Sequence, residues 1–268
     1  MGIRRLVRGT IDWPRLELVA REIARRYGRD ELRVEFLEAD NWLSTPLVVD
    51  DEWFVKVVSV QNSWVHAVFT GARNLGAVSA GTEWFFETFD TPLAMAEHEF
   101  EATQRMRELG VNAPEPVDAF DVDGLAVVVM EYLPEFRTLD ELADEEVAKT
   151  AGELFGALRR VHSVGLAHGD LRAENVLLQG GDLYFIDATN VREGRLQAAR
   201  SYDLASALSA LAPRIGTRPA VAAASEHYSG EELVGACDFL HVVSLRPDHD
   251  VDTTALRGEI ERVAARAT

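Results

Sequence analysis

The chain has 268 residues, with 27 Lys and Arg against 45 Asp and Glu, and the resulting net charge of −18 excludes a generally basic coat for nucleic acid or membrane. With 47% hydrophobic residues it can bury a sizeable core. No apolar run approaches the roughly 18 residues of a membrane span, and Met1-Gly2-Ile3-Arg4-Arg5 is not followed by a signal-peptide core, so the expectation is a globular cytoplasmic protein without a membrane partner.

The basic residues are almost all Arg; the two Lys are Lys56 and Lys149. Excess carboxylate with scarce Lys predicts a salt-loving source, in which an acidic surface stays hydrated and its self-repulsion is screened, whereas GC-rich coding of an ordinary acidic protein predicts the same bias. The lone Cys237 excludes an internal disulfide and a cysteine zinc cluster, and is expected in the core. The first element is an amphipathic helix over 11–29: Leu16, Val19, Ala20, Ile23, Ala24 and Tyr27 share one side, Asp12 is the N-cap and Gly28 the stop. Residues 1–33 hold nine Arg and five acids, so this segment is +4 and the remainder −22. A solvated helix face and an arm contacting RNA or a partner both account for that cluster.

Strands are expected at Leu32–Ala39, Pro46–Val49 and Glu52–Val60, the last two joined as a hairpin through Asp50-Asp51. Asn62–Phe89 reads as an inserted loop or flap. Thr91-Pro92 then opens a helix that runs to Gly110 with Met95, Ala102, Met106 and Leu109 on one side. A second hairpin joins Val117–Phe120 to Leu125–Tyr132 through Asp121–Gly124, and its Ala126–Met130 run reads as a strand buried on both faces. A long helix capped near Asp144 carries Val147, Ala151, Leu154, Phe155, Leu158, Val161 and His162 on its inner stripe. From Ser201 onward the chain reads as helical, with segments at 217–227, 230–242 and from Thr253. The order predicts an α+β architecture: a β-rich N-terminal lobe holding one helix, and a mainly helical C-terminal lobe.

The strongest chemical signal is His168-Gly169-Asp170-Leu171-Arg172-Ala173-Glu174-Asn175, followed by Phe185-Ile186-Asp187. Phosphoryl transfer needs one carboxylate to orient or deprotonate an acceptor, and an amide with a second carboxylate to hold Mg²⁺ on phosphates. Asp170, Asn175 and Asp187 supply those groups, all hard oxygen donors. Taken alone, Asp170 and Asn175 would equally serve to cap turns. Lys56, central in the apolar strand Trp53–Val58, is poorly explained as surface decoration in a chain with one other lysine. The remaining histidines show no metal-ligand spacing, and His162 is expected to pack beneath the 168–175 loop.

Together these segments resemble the protein-kinase-like superfamily, and three features are similar to its RIO-type atypical kinases: His-Gly-Asp-Leu in the loop, Ile186-Asp187-Ala188-Thr189-Asn190 without the DFG glycine, and only fifteen residues between Asp187 and Asp203, too few for an activation segment. The resemblance covers about residues 32–210. It implies a two-lobed kinase-like fold divided into a basic helix or arm (1–30), an N-lobe (31–130), a hinge (131–134) and a C-lobe (135–268). It implies ATP and Mg²⁺ as cofactors, Asp170 as catalytic carboxylate, Asn175 and Asp187 on the metal, and Lys56 on the α/β phosphates. Glu99 would pair with Lys56, preferred over Glu97 and Glu101 because Ala96–Pro116 resembles the corresponding RIO segment. Met130, Glu131 and Leu133 would meet adenine, and Asp203 would buttress the loop, with an ordinary helix N-terminal charge as its other explanation.

The turn Asp40-Asn41-Trp42-Leu43-Ser44-Thr45-Pro46 departs from the family pattern, since it lacks the glycines that let backbone amides approach phosphates; Ser44 and Thr45 would stand in for them. The resemblance implies a phosphotransferase or ATPase acting on a protein or as a ribosome-maturation switch, with ribosomal or RNA contact through the Arg-rich helix. Two alternatives remain at this point: an aminoglycoside- or choline-kinase-like enzyme with a small-molecule acceptor, and a nucleotide-binding pseudokinase scaffold.

Overall fold

Two-residue alternation along an antiparallel sheet, with a helix on each face, organises the first part of the chain. The computed structural model describes residues 11–37, 44–59, 91–188, 196–244 and 251–267; the expected loop at Asn62–Phe89, the Asp40–Leu43 part of the first turn, Thr189-Asn190, and Arg4, Arg5 and Arg8 lie outside the described residues. The chain divides into two compact units, Met1–Gly71 with Thr88–Gln104 and Pro114–Pro134, and Ala72–Glu87 with Arg105–Ala113 and Glu135–Thr268.

In the first unit, α1 (Trp13–Tyr27) precedes β1 (Val34–Phe36), β2 (Thr45–Val49) and β3 (Trp53–Val58), and α2 (Pro92–Glu108) precedes β4 (Pro116–Val122) and β5 (Leu125–Glu131). The strands form a five-stranded sheet in the order β1-β2-β3-β5-β4, with every neighbouring pair antiparallel. One face carries Leu47, Val49, Trp53, Val55, Val57, Val127 and Val129, packed with Val19 and Ile23 of α1. The other carries Val58, Ala126, Val128 and Met130, packed with Met95 and Ala96 of α2. β5 reads as an unbroken apolar run because both of its faces are covered.

The expected strand at Leu32–Ala39 is shorter, Val34–Phe36. The β2–β3 turn places Asp50 and Asp51 both at positive φ, a conformation that the short polar side chain of Asp tolerates. In α2, Thr91 caps as expected, its Oγ1 accepting from the Ala94 amide at 3.1 Å. The buried side of α2 is Met95, Ala96, Glu99, Thr103 and Met106, so Thr103 occupies the inward place expected of Ala102.

The described arginines of the basic segment are used within the unit. Arg15 reaches Asp123 of the β4–β5 turn (Nε to Oδ2, 3.3 Å), Arg26 reaches Asp118 (2.8 Å) while lying over the Phe120 ring, and Arg29 reaches Glu52 (2.5 Å) while lying over Trp53. Arg33 pairs with Asp51. The helix is therefore seated on the sheet by an apolar stripe and bordered by ion pairs to both hairpin turns.

In the second unit, β6 (Arg137–Thr138), β7 (Val176–Gln179) and β8 (Asp182–Phe185) form a small antiparallel sheet. The long helix α3 (Asp144–Ser163) buries the expected stripe from Val147 to His162. Asp144 is its first residue and not its cap; Glu146 Oε2 accepts from the Ala143 amide at 3.2 Å, and the same carboxylate, held down to about 2 chiefly by its bond with Arg137, suits the positive end of the helix.

Beyond it lie α4 (Leu196–Ile215), α5 (Thr217–Ser225), α6 (Gly230–Ala236), α7 (Leu240–Ser244) and α8 (Thr253–Ala267). α4 begins before Ser201 and is buried nearly all round. The expected helix at 230–242 breaks at Cys237–Phe239: the Cys237 carbonyl accepts from Arg257 at 2.6 Å, and the Phe239 ring sits edge-on to Tyr202. Cys237 is buried, as its apolar neighbours require. Among the described residues no helix is long and apolar enough to cross a membrane.

Ile23→Ala should cost about 3 kcal/mol in urea denaturation, because it empties a fully enclosed site between α1 and the sheet. Arg21→Ala, which loses only an exposed pair with Glu17, should leave the midpoint unchanged.

Candidate active site

Two groups of polar residues, one in each unit, interrupt the apolar layers. In the first, Lys56 sits at the centre of β3 between Pro46 and Val128 of the neighbouring strands, on the face covered by α2. Its Nζ lies 2.9 Å and 3.0 Å from the two carboxylate oxygens of Glu99. Lys56 and Glu99 are each 7% exposed. Glu97 and Glu101 point to solvent. Helical periodicity decides among the three: only Glu99 shares the buried face with Met95, Ala96 and Thr103.

Near the strand ends, Ser44 is buried, its hydroxyl finding no hydrogen-bond partner among the described residues, and Thr45 opens β2 opposite Val57. Met130 and Leu133 are buried; Glu131 is exposed, its side chain accepting from the Glu115 amide at 3.1 Å.

The second group is the 168–175 loop with Asp187. Asp203, fully enclosed within α4, accepts three N–H groups: the His168 amide at 2.6 Å, the Gly169 amide at 2.7 Å, and His162 Nε2 at 3.0 Å. Both amides converge on one carboxylate because Gly169 is at φ 81°, which only glycine adopts without penalty. Asp203 lies inside the helix and not at its N-terminus, so the ordinary helix-charge explanation does not apply.

Past Gly169 the loop is tied again. The Asn175 side-chain amide donates to the Asp170 carbonyl at 2.8 Å, and the Ile186 amide donates to the Asn175 carbonyl at 3.1 Å, which brings the Asp187 segment alongside. Asp187 itself is at φ 59°, and this left-handed conformation ends the β8 run.

Three contributors escaped sequence reasoning in whole or part. Arg172 lies 3.3 Å from the Asp170 carboxylate and also pairs with Glu174; a cation two residues past the loop Asp was the available signal. His162, expected only to pack, bonds Asp203. Tyr228, whose hydroxyl is 3.0 Å from His162 Nδ1, comes from the turn before α6 and gave no local signal.

Residues 88–202 match the RIO domain family model. Over 88 residues the chain is 38% identical to the KEOPS complex subunit Bud32 of Pyrococcus abyssi (strain GE5 / Orsay), a stretch covering 31% of this chain and 39% of that protein. Over 78 residues it is 40% identical to a probable bifunctional tRNA threonylcarbamoyladenosine biosynthesis protein of Methanothermobacter thermautotrophicus, covering 29% of this chain and 14% of that one. The chain thus spans about two-fifths and one-seventh of the length of these two relatives. A putative fructosamine-3-kinase from Haemophilus somnus 129PT superimposes with a TM-score of 0.52 over 92% of this chain and 97% of that one at 11% identity, a likeness of fold alone. Residues 88–202 are thus similar to the RIO domain, and the fold is kinase-like, with a β-sheet unit and a helical unit.

Burial pushes the His168 imidazole below its ordinary value, outweighing the opposing pull of the Asp203, Asp170 and Asp187 carboxylates. A histidine that is neutral when folded binds its proton more readily when unfolded, so stability is complete above about 6.5 and falls as pH drops through that value. Denaturation midpoints should decline from pH 7 to pH 5, with a shallower slope in His168→Gln. A separate decline should begin near pH 4.5, where Glu22 and Glu146 take up protons in the unfolded chain but not in the folded one, which holds both down to about 2 chiefly by arginine hydrogen bonds.

Proposed function

We propose that this RIO-type chain uses ATP with Mg²⁺, as a phosphotransferase or an ATPase, and that it works within a protein assembly. The observation that supports nucleotide use most directly is the buried Lys56–Glu99 pair: an ammonium paired with a carboxylate on an apolar sheet face is costly for stability alone but well suited to meeting phosphate oxygens. In this reading Lys56 contacts the α/β phosphates and Glu99 orients it. Met130, Glu131 and Leu133 offer backbone groups to adenine, and Ser44 and Thr45 replace the glycine turn as phosphate donors.

The second group fits Mg²⁺ by its chemistry. Among the described residues no three His, Cys, Asp or Glu gather as a metal cage, and Mg²⁺ ordinarily takes one or two protein oxygens with phosphates and water completing its shell. Asp187 would supply a carboxylate oxygen. Asn175 would supply its amide oxygen, since the amide nitrogen is committed to the Asp170 carbonyl. The ion would neutralise charge on the phosphates. Asp170, steadied by Arg172 and by the tied loop, would orient the attacking hydroxyl or water and take up its proton.

The names of the two curated relatives favour a KEOPS-like complex and tRNA modification as the setting. Arg15, Arg26, Arg29 and Arg33 are engaged with acids of the sheet, which favours a protein partner over RNA docking through the basic helix.

Mg²⁺-ATP should raise the thermal midpoint when measured from low to molar salt. Lys56→Ala and Asp187→Asn should each weaken binding by about tenfold or more, the scale of losing a charged contact to phosphate. Asp170→Asn should keep binding and lose turnover. ATP hydrolysis without an acceptor would identify an ATPase, and ADP release that depends on a protein or small-molecule acceptor would identify a transferase. The absence of any nucleotide-induced shift across the salt range would overturn the reading.

A further inference from the structure

Tyr228 lies between α5 and α6, in a part of the chain where the sequence shows no chemistry, yet its hydroxyl is buried against the ring that braces the 168–175 loop. His162 uses both ring nitrogens in this arrangement: Nε2 faces the Asp203 carboxylate at 3.0 Å and Nδ1 faces the Tyr228 hydroxyl at 3.0 Å. A carboxylate only accepts, so Nε2 must carry a hydrogen. A hydroxyl can donate, so it suits an Nδ1 that carries none. His162 and Asp203 are 1% and 0% exposed, so no bulk water substitutes for either contact.

The groups around Tyr228 keep it a neutral hydroxyl. Burial, followed by the Asp203 charge, raises its titration well above the ordinary phenol range, while Arg159 lies over its ring and is itself paired with Glu232 of α6. Arg200 of α4 donates to the His162 carbonyl, fixing the end of α3 from a second side. Without the hydroxyl, the Asp203 carboxylate would still keep the hydrogen on Nε2, but Nδ1 would lose its donor and the ring its second anchor, so the Nε2–Asp203 bond would loosen.

We propose that Tyr228 is a positioning residue for the Asp170 loop: its hydroxyl anchors the His162 ring at Nδ1 in the orientation in which Nε2 donates to Asp203, and Asp203 holds the two amides from which Asp170 extends. The catalytic consequence rests on the ATP-dependent function proposed above; the structural coupling does not.

The test compares the full-length chain with Tyr228→Phe, which keeps the ring and its packing. Side-chain ¹⁵N spectra should show His162 as the Nε2–H tautomer in both proteins, with the Nδ1 resonance moved in the variant by loss of the hydroxyl donor and the Nε2–H resonance moved by a looser bond to Asp203. Hydrogen exchange at the His168 and Gly169 amides should accelerate by about tenfold, the scale of losing one buried hydrogen bond. With ATP, kcat should fall about tenfold while KM for ATP stays within twofold, a split that a general loss of folded protein would not give. Unchanged His162 ring resonances with unchanged amide exchange overturn the proposal whether or not the wild type turns over ATP. Unchanged kcat in an active enzyme overturns its catalytic part. A wild type that neither binds nor hydrolyses ATP defeats the functional reading and leaves the spectra and exchange to decide the coupling.

Discussion

A carboxylate with no solvent exposure is tolerable only when its oxygens are saturated by donors, and Asp203 imposes that requirement on everything around it. Its three donors come from outside α4, two from the loop and one from α3. The two loop amides can reach it only through the left-handed Gly169, so the backbone leading to Asp170 is dictated by the electrostatics of a residue more than thirty positions away. The Asn175 side chain adds a second tie, to the Asp170 carbonyl, and the Asn175 carbonyl joins the loop to the Asp187 segment.

The first unit solves a related problem with a pair. Lys56 lies on a sheet face otherwise made of Val58, Ala126, Val128 and Met130, and Glu99 is the one member of its acidic stretch turned toward that face. Each unit thus places charge inside an apolar layer and balances it locally. The difference is instructive: Asp203 is satisfied by neutral N–H groups and serves to fix geometry, whereas Lys56 retains a formal charge that a phosphate could share.

Much of this was legible in the sequence where one local period governs. The inner stripe of α3 and the doubly buried β5 follow directly from spacing, as does the seat of α1, because each depends on residues within a few turns of one another. The loop motif and Lys56 were legible through residue type and order. Interactions across long separations were not. The Tyr228–His162 contact joins residues 66 positions apart and Arg15–Asp123 joins residues 108 apart, and no periodicity encodes either. The break at Cys237–Phe239 was hidden for a different reason: the apolar pattern continues through it, and the interruption comes from Arg257 capturing a carbonyl. The inward Thr103 was masked by a similar ambiguity, since Ala102 is equally compatible with a helix and the hydroxyl of Thr103 is absorbed by the Glu99 carbonyl at 2.7 Å.

The pairing of α1 and the segment that follows it with the two hairpin turns alters what those turns can accommodate. Hairpin tips are ordinarily where a chain gains or loses residues with least effect, because little is bonded to them. Here Asp51 and Glu52 at one tip and Asp123 at the other hold Arg33, Arg29 and Arg15. An added residue at either tip would shift an acid away from its arginine and loosen one border of the helix. Length variation in this sheet should therefore be confined elsewhere, and a change at one tip should be accompanied by a change in the helix it touches.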